Sequence, residues 1–459
     1  MTARLLLLLT SLLPAMSLAA ADADTAVGAE KIRTTKIAEP IFGGDSYVYE
    51  VGRGRAQTLV LIHGIGGQGG MDFRELMPAL GRQYHVVAFD LPGFGRAGRA
   101  NLLYTPPAYV NFIKYVTEKF TDGPFMLLGH SLGGALALRY AAAFPRDVER
   151  LVVVSAAGIL HRSSYSQYLS HLGIDLLPVF YPKQKEDLGG LAGAVLSRLE
   201  KLNLEPEVIL SSASLRQAAL QGDPSKIAGL ALVLDDFSKV LPQVTTPTLI
   251  VWGADDPVAP VRTGQLLASV LPHARLTVLD KTEHVPMRES PAAFRAAVMP
   301  FLAAPDPAAV VSADRAAPRA NTTRNADCNG ESARSFSGDY DTLVLRNCSA
   351  VRIRDARIRE LRAYDSTLEI VNSEIGGETG GMNVYSTRIT MTGGRVFAPV
   401  AITARDSQFD MAGVTLQGKT FSIKAPVASR AVFSVSRVES AHAHGQVHGF
   451  YSLDANNPL

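Results

Sequence analysis

FMLLGHSLGGALAL, residues 125–138, decides the reading of this chain. Phe125 to Leu128 are continuously apolar, as in a strand buried on both faces. Gly129-His130-Ser131-Leu132-Gly133 follows, and then a run rich in Ala and Leu that reads as a helix. A serine on a sharp strand-to-helix turn holds its hydroxyl above a sheet, a strained and exposed position that packing alone does not require. Flanking glycines let the backbone make the turn and let the next helix pack close. The helix N-terminus adds free N–H groups and a positive end, which suit a developing oxyanion. The stretch therefore predicts a nucleophile at Ser131.

Outward from it, the sequence alternates strands and helices. TLVLI (58–62) and HVVAF (85–89) precede the serine, and RLVVVS (150–155), PTLIVW (247–252) and RLTVL (275–279) follow it. Tyr47 to Val51 alternate as a strand, so residues 22–55 read as an extension ending in an edge strand or hairpin. Helices are predicted at Met71–Leu80, Pro107–Phe120 and Ala292–Leu302. Apolar strands that alternate with helices indicate a mostly parallel sheet covered on both faces. From about 158 to 244 the strands stop and helical stretches take over, including Leu191–Leu204 and Pro224–Leu241. An insert there predicts a helical cap above the serine, and Leu176, Leu177, Val179 and Phe180 give it an apolar lining.

A serine nucleophile needs a base and a residue that orients the base. In a fold of this kind the chain order is serine, acid, histidine. Asp255 and Asp256 both follow the strand PTLIVW; Asp256 is preferred, with Asp255 as the competitor. His284 follows RLTVL and is the expected base, ahead of His161, His171, His273, His442 and His444, none of which follows a strand in this order. The N–H groups of Leu132 and of Ile65, in His63-Gly-Ile-Gly-Gly67, are the expected oxyanion donors.

The stretches LVLIHGIGGQGG, VVAFDLPGFGRAGR, LLGHSLGGALALRYAAAFP, LIVWGADDPVAP and TEHVPMRESPAAF resemble the α/β-hydrolase superfamily in order and spacing over about 40–302. The chain is most similar to its branch of esterases, monoacylglycerol lipases and meta-cleavage-product hydrolases. The resemblance implies Ser131, Asp256 and His284 as a triad and no cofactor or metal. The serine argues against haloalkane dehalogenases and epoxide hydrolases, whose elbow usually carries aspartate. Two positions depart from the family: Glu283 stands where glycine often precedes the histidine, and Ala97 where serine is frequent. The first is expected to alter the loop or raise the basicity of His284. The implied activity is hydrolysis of a carboxylic ester, of small-molecule or lipid type. The rival readings are a C–C bond hydrolase with the same triad and a binding or adhesion module.

The chain has 459 residues, 47% hydrophobic and 19% charged, enough for two or three domains with sizeable cores. Its formal net charge of +2 gives no footprint for nucleic acid. It carries neither a dinucleotide fingerprint nor a P-loop. Residues 1–21 combine Arg4, an apolar run from Leu5 and small residues at the end, which reads as a secretory signal peptide cut after Ala19 or Ala21. Export to the periplasm or beyond is the expectation.

Residues 303–326 are rich in Ala and Pro and read as a linker between residues 22–302 and 327–459. The last region has short alternating runs. Ile353, Ile370, Met391 and Met411 recur with a period of about 20 residues, which predicts a small right-handed parallel β-helix. Its aspartates (Asp339, Asp341, Asp355, Asp365 and Asp406) are read as turn residues between rungs, and a cell-envelope or carbohydrate ligand is a possible partner. Cys328 and Cys348, the two cysteines, are separated by that same period; one period of separation would stack them on neighbouring rungs as a disulfide.

Overall fold

The computed structural model describes residues 31–165, 205–312 and 324–459. The expected signal peptide, most of the first half of the expected cap and residues 313–323 lie outside them. Two compact units are present, one built around strands β1–β8 and the other around β9–β18.

The first unit holds an eight-stranded sheet in the order β1-β2-β4-β3-β5-β6-β7-β8. Its strands are β1 Arg33–Glu39, β2 Gly44–Val51, β3 Thr58–Ile62, β4 His85–Phe89, β5 Phe125–His130, β6 Val148–Val154, β7 Thr248–Gly253 and β8 Ala274–Leu279. The hairpin β1–β2 joins β4 antiparallel, and β3 to β8 run parallel. Every residue of β4, β5 and β7 is buried, as a parallel strand under helices requires. The helices that the description needs are α1 Met77–Gly81, α2 Pro106–Phe120, α3 Leu132–Ala143, α4 Pro206–Ser211, α5 Ala213–Leu220, α6 Pro224–Val233, α7 Val261–Val270, α8 Pro286–Glu289, α9 Pro291–Ala303 and α10 Pro307–Ser312. Thr105 caps α2, its hydroxyl accepting from the Ala108 N–H, and the helix buries Tyr109, Phe112, Ile113 and Val116 along one stripe.

Three local expectations change. The helix expected over Met71–Leu80 is a 3₁₀ turn at Gly69–Phe73 followed by α1. The Gly70 N–H donates to the buried Asp90 carboxylate at 2.8 Å, outside any α-helical ladder, and the regular α-helix begins only at Met77. The stretch expected to be helical from Pro224 to Leu241 stops at Val233, where the Asp235 carboxylate takes a bidentate bond from Arg139 of α3. Residues expected to begin the linker form α10 instead, because Val311 is buried in the core of the sheet unit.

The second unit is a parallel β-helix. Its strands are β9 Arg324–Asn329, β10 Ser335–Arg346, β11 Val351–Tyr364, β12 Thr367–Gly376, β13 Gly381–Tyr385, β14 Arg388–Arg405, β15 Gln408–Ala412, β16 Thr415–Lys424, β17 Ser429–Glu439 and β18 His444–Leu453. All pair in parallel except β18, which folds back antiparallel on β17. The inward columns are the apolar period of the sequence. Ile353, Ile370, Met391, Met411 and Phe433 stack in register, as do Ile358, Ile375, Val396, Leu416 and Val438.

A corner recurs between strands: one residue with positive φ, then a buried small residue. Asn347, Asp365, Ser386 and Asp406 have φ between 46° and 54°. The residues after three of them are Ser366, Thr387 and Ser407, each bonding a carbonyl two residues back. Asp365 and Asp406 are therefore turn residues, since Asp tolerates the left-handed conformation better than most.

Cys328 and Cys348 are disulfide-bonded, with Cα atoms 6.4 Å apart. The register expected through them is wrong. Cys328 pairs with Leu345 on the neighbouring strand, and Cys348 sits past the end of β10 in the corner column, donating its N–H to Ser366. The bond crosses from a strand to a corner, because the first coils are shorter than the later ones.

Candidate active site

Ser131 ends β5 and begins α3 with φ 54° and ψ −118°, an unfavourable backbone region for a residue with a side chain. Its N–H donates to Val154 and its carbonyl accepts from Gly134 and Ala135, so the sheet and the helix fix the turn from both sides. The crossing is tight: a Cβ on Gly133 would lie 2.2 Å from the Ile62 carbonyl oxygen. Only glycine permits that approach between α3 and β3.

Asp256, Ser131 and His284 come together from the ends of β7, β5 and β8. The Asp256 carboxylate lies 2.9 Å from His284 Nδ1, and His284 Nε2 lies 3.0 Å from Ser131 Oγ. Asp256 is buried, and its Oδ1 also accepts from the Val258 and Ala259 N–H groups, while Asp255 is exposed. The loop is stapled further by Trp252, whose indole N–H donates to the Ala259 carbonyl at 2.9 Å. An ionised carboxylate on Nδ1 selects the tautomer with its proton there and leaves Nε2 to accept from the serine hydroxyl.

His161, His273, His442 and His444 are not part of this constellation, and His171 lies outside the described residues. Glu283 is exposed. Its N–H and that of Val285 both donate to the Glu289 carboxylate, at 2.7 and 3.0 Å, so Glu289 clamps the loop on either side of His284 through main-chain bonds.

His63-Gly-Ile-Gly-Gly67 runs against the serine. A Cβ on Gly64 would fall 2.8 Å from Ser131 Cβ, so the loop that carries Ile65 packs directly against the turn that leads into Leu132. In α6, a Cβ on Gly229 would fall 3.5 Å from Ile65 Cδ1, so this cap helix lies over the loop. His63 fixes the loop from below. Its Nδ1–H donates to the Gly64 carbonyl at 2.6 Å and its Nε2 accepts from the Leu91 N–H at 2.9 Å. Burial pushes its pKa down to about 4, so it is neutral in both roles. Beside it, burial pushes the Asp90 carboxyl up to about 6, although it accepts from Gly70, Arg96 and Tyr49.

His130 is a site residue that the sequence reading missed. Its Nε2–H donates to the main-chain carbonyl of His284 at 2.8 Å, with the two rings 5.1 Å apart. Burial, with the neighbouring His284 as a second cause, pushes its pKa down to about 3. The available signal was a polar ring directly before the serine in an otherwise apolar strand.

Among the described residues no group of three His, Cys, Asp or Glu could hold a metal ion, and no helix is long and apolar enough to cross a membrane.

A family model described as alpha/beta hydrolase fold matches residues 57–291. Lipase 1 of Psychrobacter immobilis is 27% identical over 255 residues, covering 54% of this chain and 77% of that protein. A putative carbamate hydrolase, RutD, of Yersinia enterocolitica is 32% identical over 227 residues, covering 47% and 77%. Among solved structures, a hydrolase from Pseudomonas aeruginosa matches with a TM-score of 0.44 at 24% identity, covering 59% of this chain and 98% of that one.

Proposed function

The chain belongs to the α/β-hydrolase fold family, and we propose that it is a serine hydrolase that cleaves carboxylic esters through an acyl-enzyme. The observation that carries this reading is the hydrogen-bonded series from Ser131 through His284 to Asp256, with the serine held at φ 54°. A lipase among the relatives supports the substrate class.

Ser131 Oγ attacks the ester carbonyl while its proton passes to His284 Nε2. The imidazolium is stabilised by the Asp256 carboxylate and the oxyanion by the N–H groups of Ile65 and Leu132. His284 then gives the proton to the departing alkoxide, leaving Ser131 acylated. Water enters, loses a proton to His284 and attacks the acyl carbon; collapse returns the proton to Ser131 Oγ and releases the acid. No step calls on a cofactor. Arg4, the apolar run after it and the small residues to Ala21 support export of the enzyme.

The test is turnover of p-nitrophenyl esters of rising acyl length, beside a p-nitrophenyl carbamate and a C–C hydrolase substrate, with fluorophosphonate labelling. Ester turnover with labelling at Ser131 is expected. Preferred cleavage of the carbamate or of the C–C bond would replace the ester reading, and an unlabelled, inactive folded protein would remove it.

A further inference from the structure

The second unit carries a groove that the ester chemistry does not use. It has a volume of about 660 Å³ and lies open across the β-helix surface. Its floor is a row in register on four neighbouring strands: Phe397 of β14, Gln417 of β16, Glu439 of β17 and His444 of β18. At about 4.8 Å per strand the row is about 14 Å long, a length suited to a chain of several units.

The row changes character along its length. Phe397, with Pro399 beside it, gives an apolar end. The Arg395 guanidinium lies 4.6 Å from the centre of the Phe397 ring and steadies it. Next comes a fixed polar pair, in which Gln417 Nε2 donates to Glu439 Oε2 at 2.8 Å and Arg437 Nε donates to the other carboxylate oxygen at 2.6 Å. These bonds hold the Glu439 carboxyl below its ordinary pKa, so it stays an ionised acceptor. Among the described residues no side chain donates to the Gln417 side-chain Oε1, and the residue is half-buried.

We propose that this groove binds a neutral oligosaccharide, whose C–H face lies on Phe397 while its hydroxyls bond Gln417 and Glu439. The groove's charges favour a neutral chain. Glu439 is paired with Arg437 and Arg395 with Glu374, which leaves Glu378 and Lys419 to balance each other, so the groove has no excess positive charge to hold a polyanion. The backbone disfavours a peptide added as a strand, because β16 is already paired on both sides, with β14 and with β17. A pyranose chain offers what remains, an apolar face beside a row of donors.

The experiment is titration calorimetry of the full chain with hexamers of (1→4)-linked glucose, xylose and N-acetylglucosamine, and with hexagalacturonate as the anionic comparison. Binding of at least one neutral hexamer and none of hexagalacturonate is expected. Phe397→Ala and Gln417→Leu should each weaken that binding about tenfold. Phe397→Tyr, which keeps a ring, should retain it. Melting curves establish that each variant is folded. Failure of all three neutral hexamers to bind, preference for hexagalacturonate, or undiminished binding by folded Phe397→Ala and Gln417→Leu would overturn the proposal.

Discussion

His130 Nε2 donates to the main-chain carbonyl of His284 at 2.8 Å, so the residue before the nucleophile holds the backbone of the base. Two loops from different strands, β5 and β8, are thereby locked at the point where a proton must cross 3.0 Å between Ser131 and His284. His130→Phe keeps a ring and removes the donor. It should lower kcat by about 10- to 100-fold through a misplaced base, with KM little changed. A loss confined to KM, or to thermal stability with kcat intact, would show that the bond is only structural.

The acid can be assigned by substitution. Asp256 is buried and bonded to His284, and Asp255 is exposed. Asp256→Asn should lower kcat by about 10⁴-fold through the wrong imidazole tautomer, and Asp255→Asn by less than about threefold. Ser131→Ala should cost at least as much as Asp256→Asn while leaving the melting temperature unchanged. The reverse ranking of the two aspartates, measured on a short-chain p-nitrophenyl ester, would reassign the acid.

Burial of neutral imidazoles predicts an acid limb in stability. His63 and His130 have folded pKa values of about 4 and about 3, below the unfolded value. Their contribution is fully present above about pH 6.5 and is lost as pH falls towards 4, because the unfolded chain takes up the protons first. Each shift corresponds to a loss on the order of 3 kcal/mol by pH 4. Asp90, raised to about 6, acts in the opposite sense: its contribution is lost as pH rises through 6. In calorimetric scans from pH 7 to 4.5, the gap in melting temperature between the native chain and His63→Gln should narrow as pH falls. Parallel curves would contradict a neutral, buried His63.

What the sequence displayed and what it hid follow from the range of the interactions. Short-range patterns were legible. The strand, tight turn and helix around Ser131 share one local grammar, and Ile353, Ile370, Met391 and Met411 keep their period because each must point into the same core column. Contacts set by tertiary closure were hidden. Glu289 looks like an ordinary polar residue of a helix, and its bonds to the N–H groups of Glu283 and Val285 exist only once that loop has turned. The disulfide was predicted from an average period. The first coils are shorter than that average, pairing Cys328 with Leu345 and Val351 with Leu368, so the two cysteines meet across a strand and a corner and not in one stacked column.

The disulfide joins two positions at the start of the β-helix with a sequence separation of 20. In the chain-entropy account it should stabilise that unit by about 3 kcal/mol. A chain carrying Cys328→Ser and Cys348→Ser should therefore show a lower denaturant midpoint for the β-rich transition. Two reactive thiols in the oxidised native protein under denaturing conditions would be incompatible with the bond.

The end of the hydrolase unit is set by one side chain. Residues from Ala303 onwards read as a linker, yet Val311 of α10 is only 2% exposed and packs in the same core as Phe294, Val298 and Leu302 of α9. A chain ending at Ala304 would lose that contact and expose the face of the core it covers, a cost of about 1.5–3 kcal/mol for a buried valine. A chain ending at Ser312 keeps it, together with Ser131, Asp256 and His284. The longer of the two should match the full chain in ester turnover on small soluble substrates, and the shorter should melt several degrees lower with reduced yield. Both are read by calorimetry and by kcat/KM on a p-nitrophenyl ester. If the chain ending at Ser312 folds with an unchanged melting temperature but turns over no ester, the β-helix completes the catalytic site and the assignment of catalysis to the first unit fails.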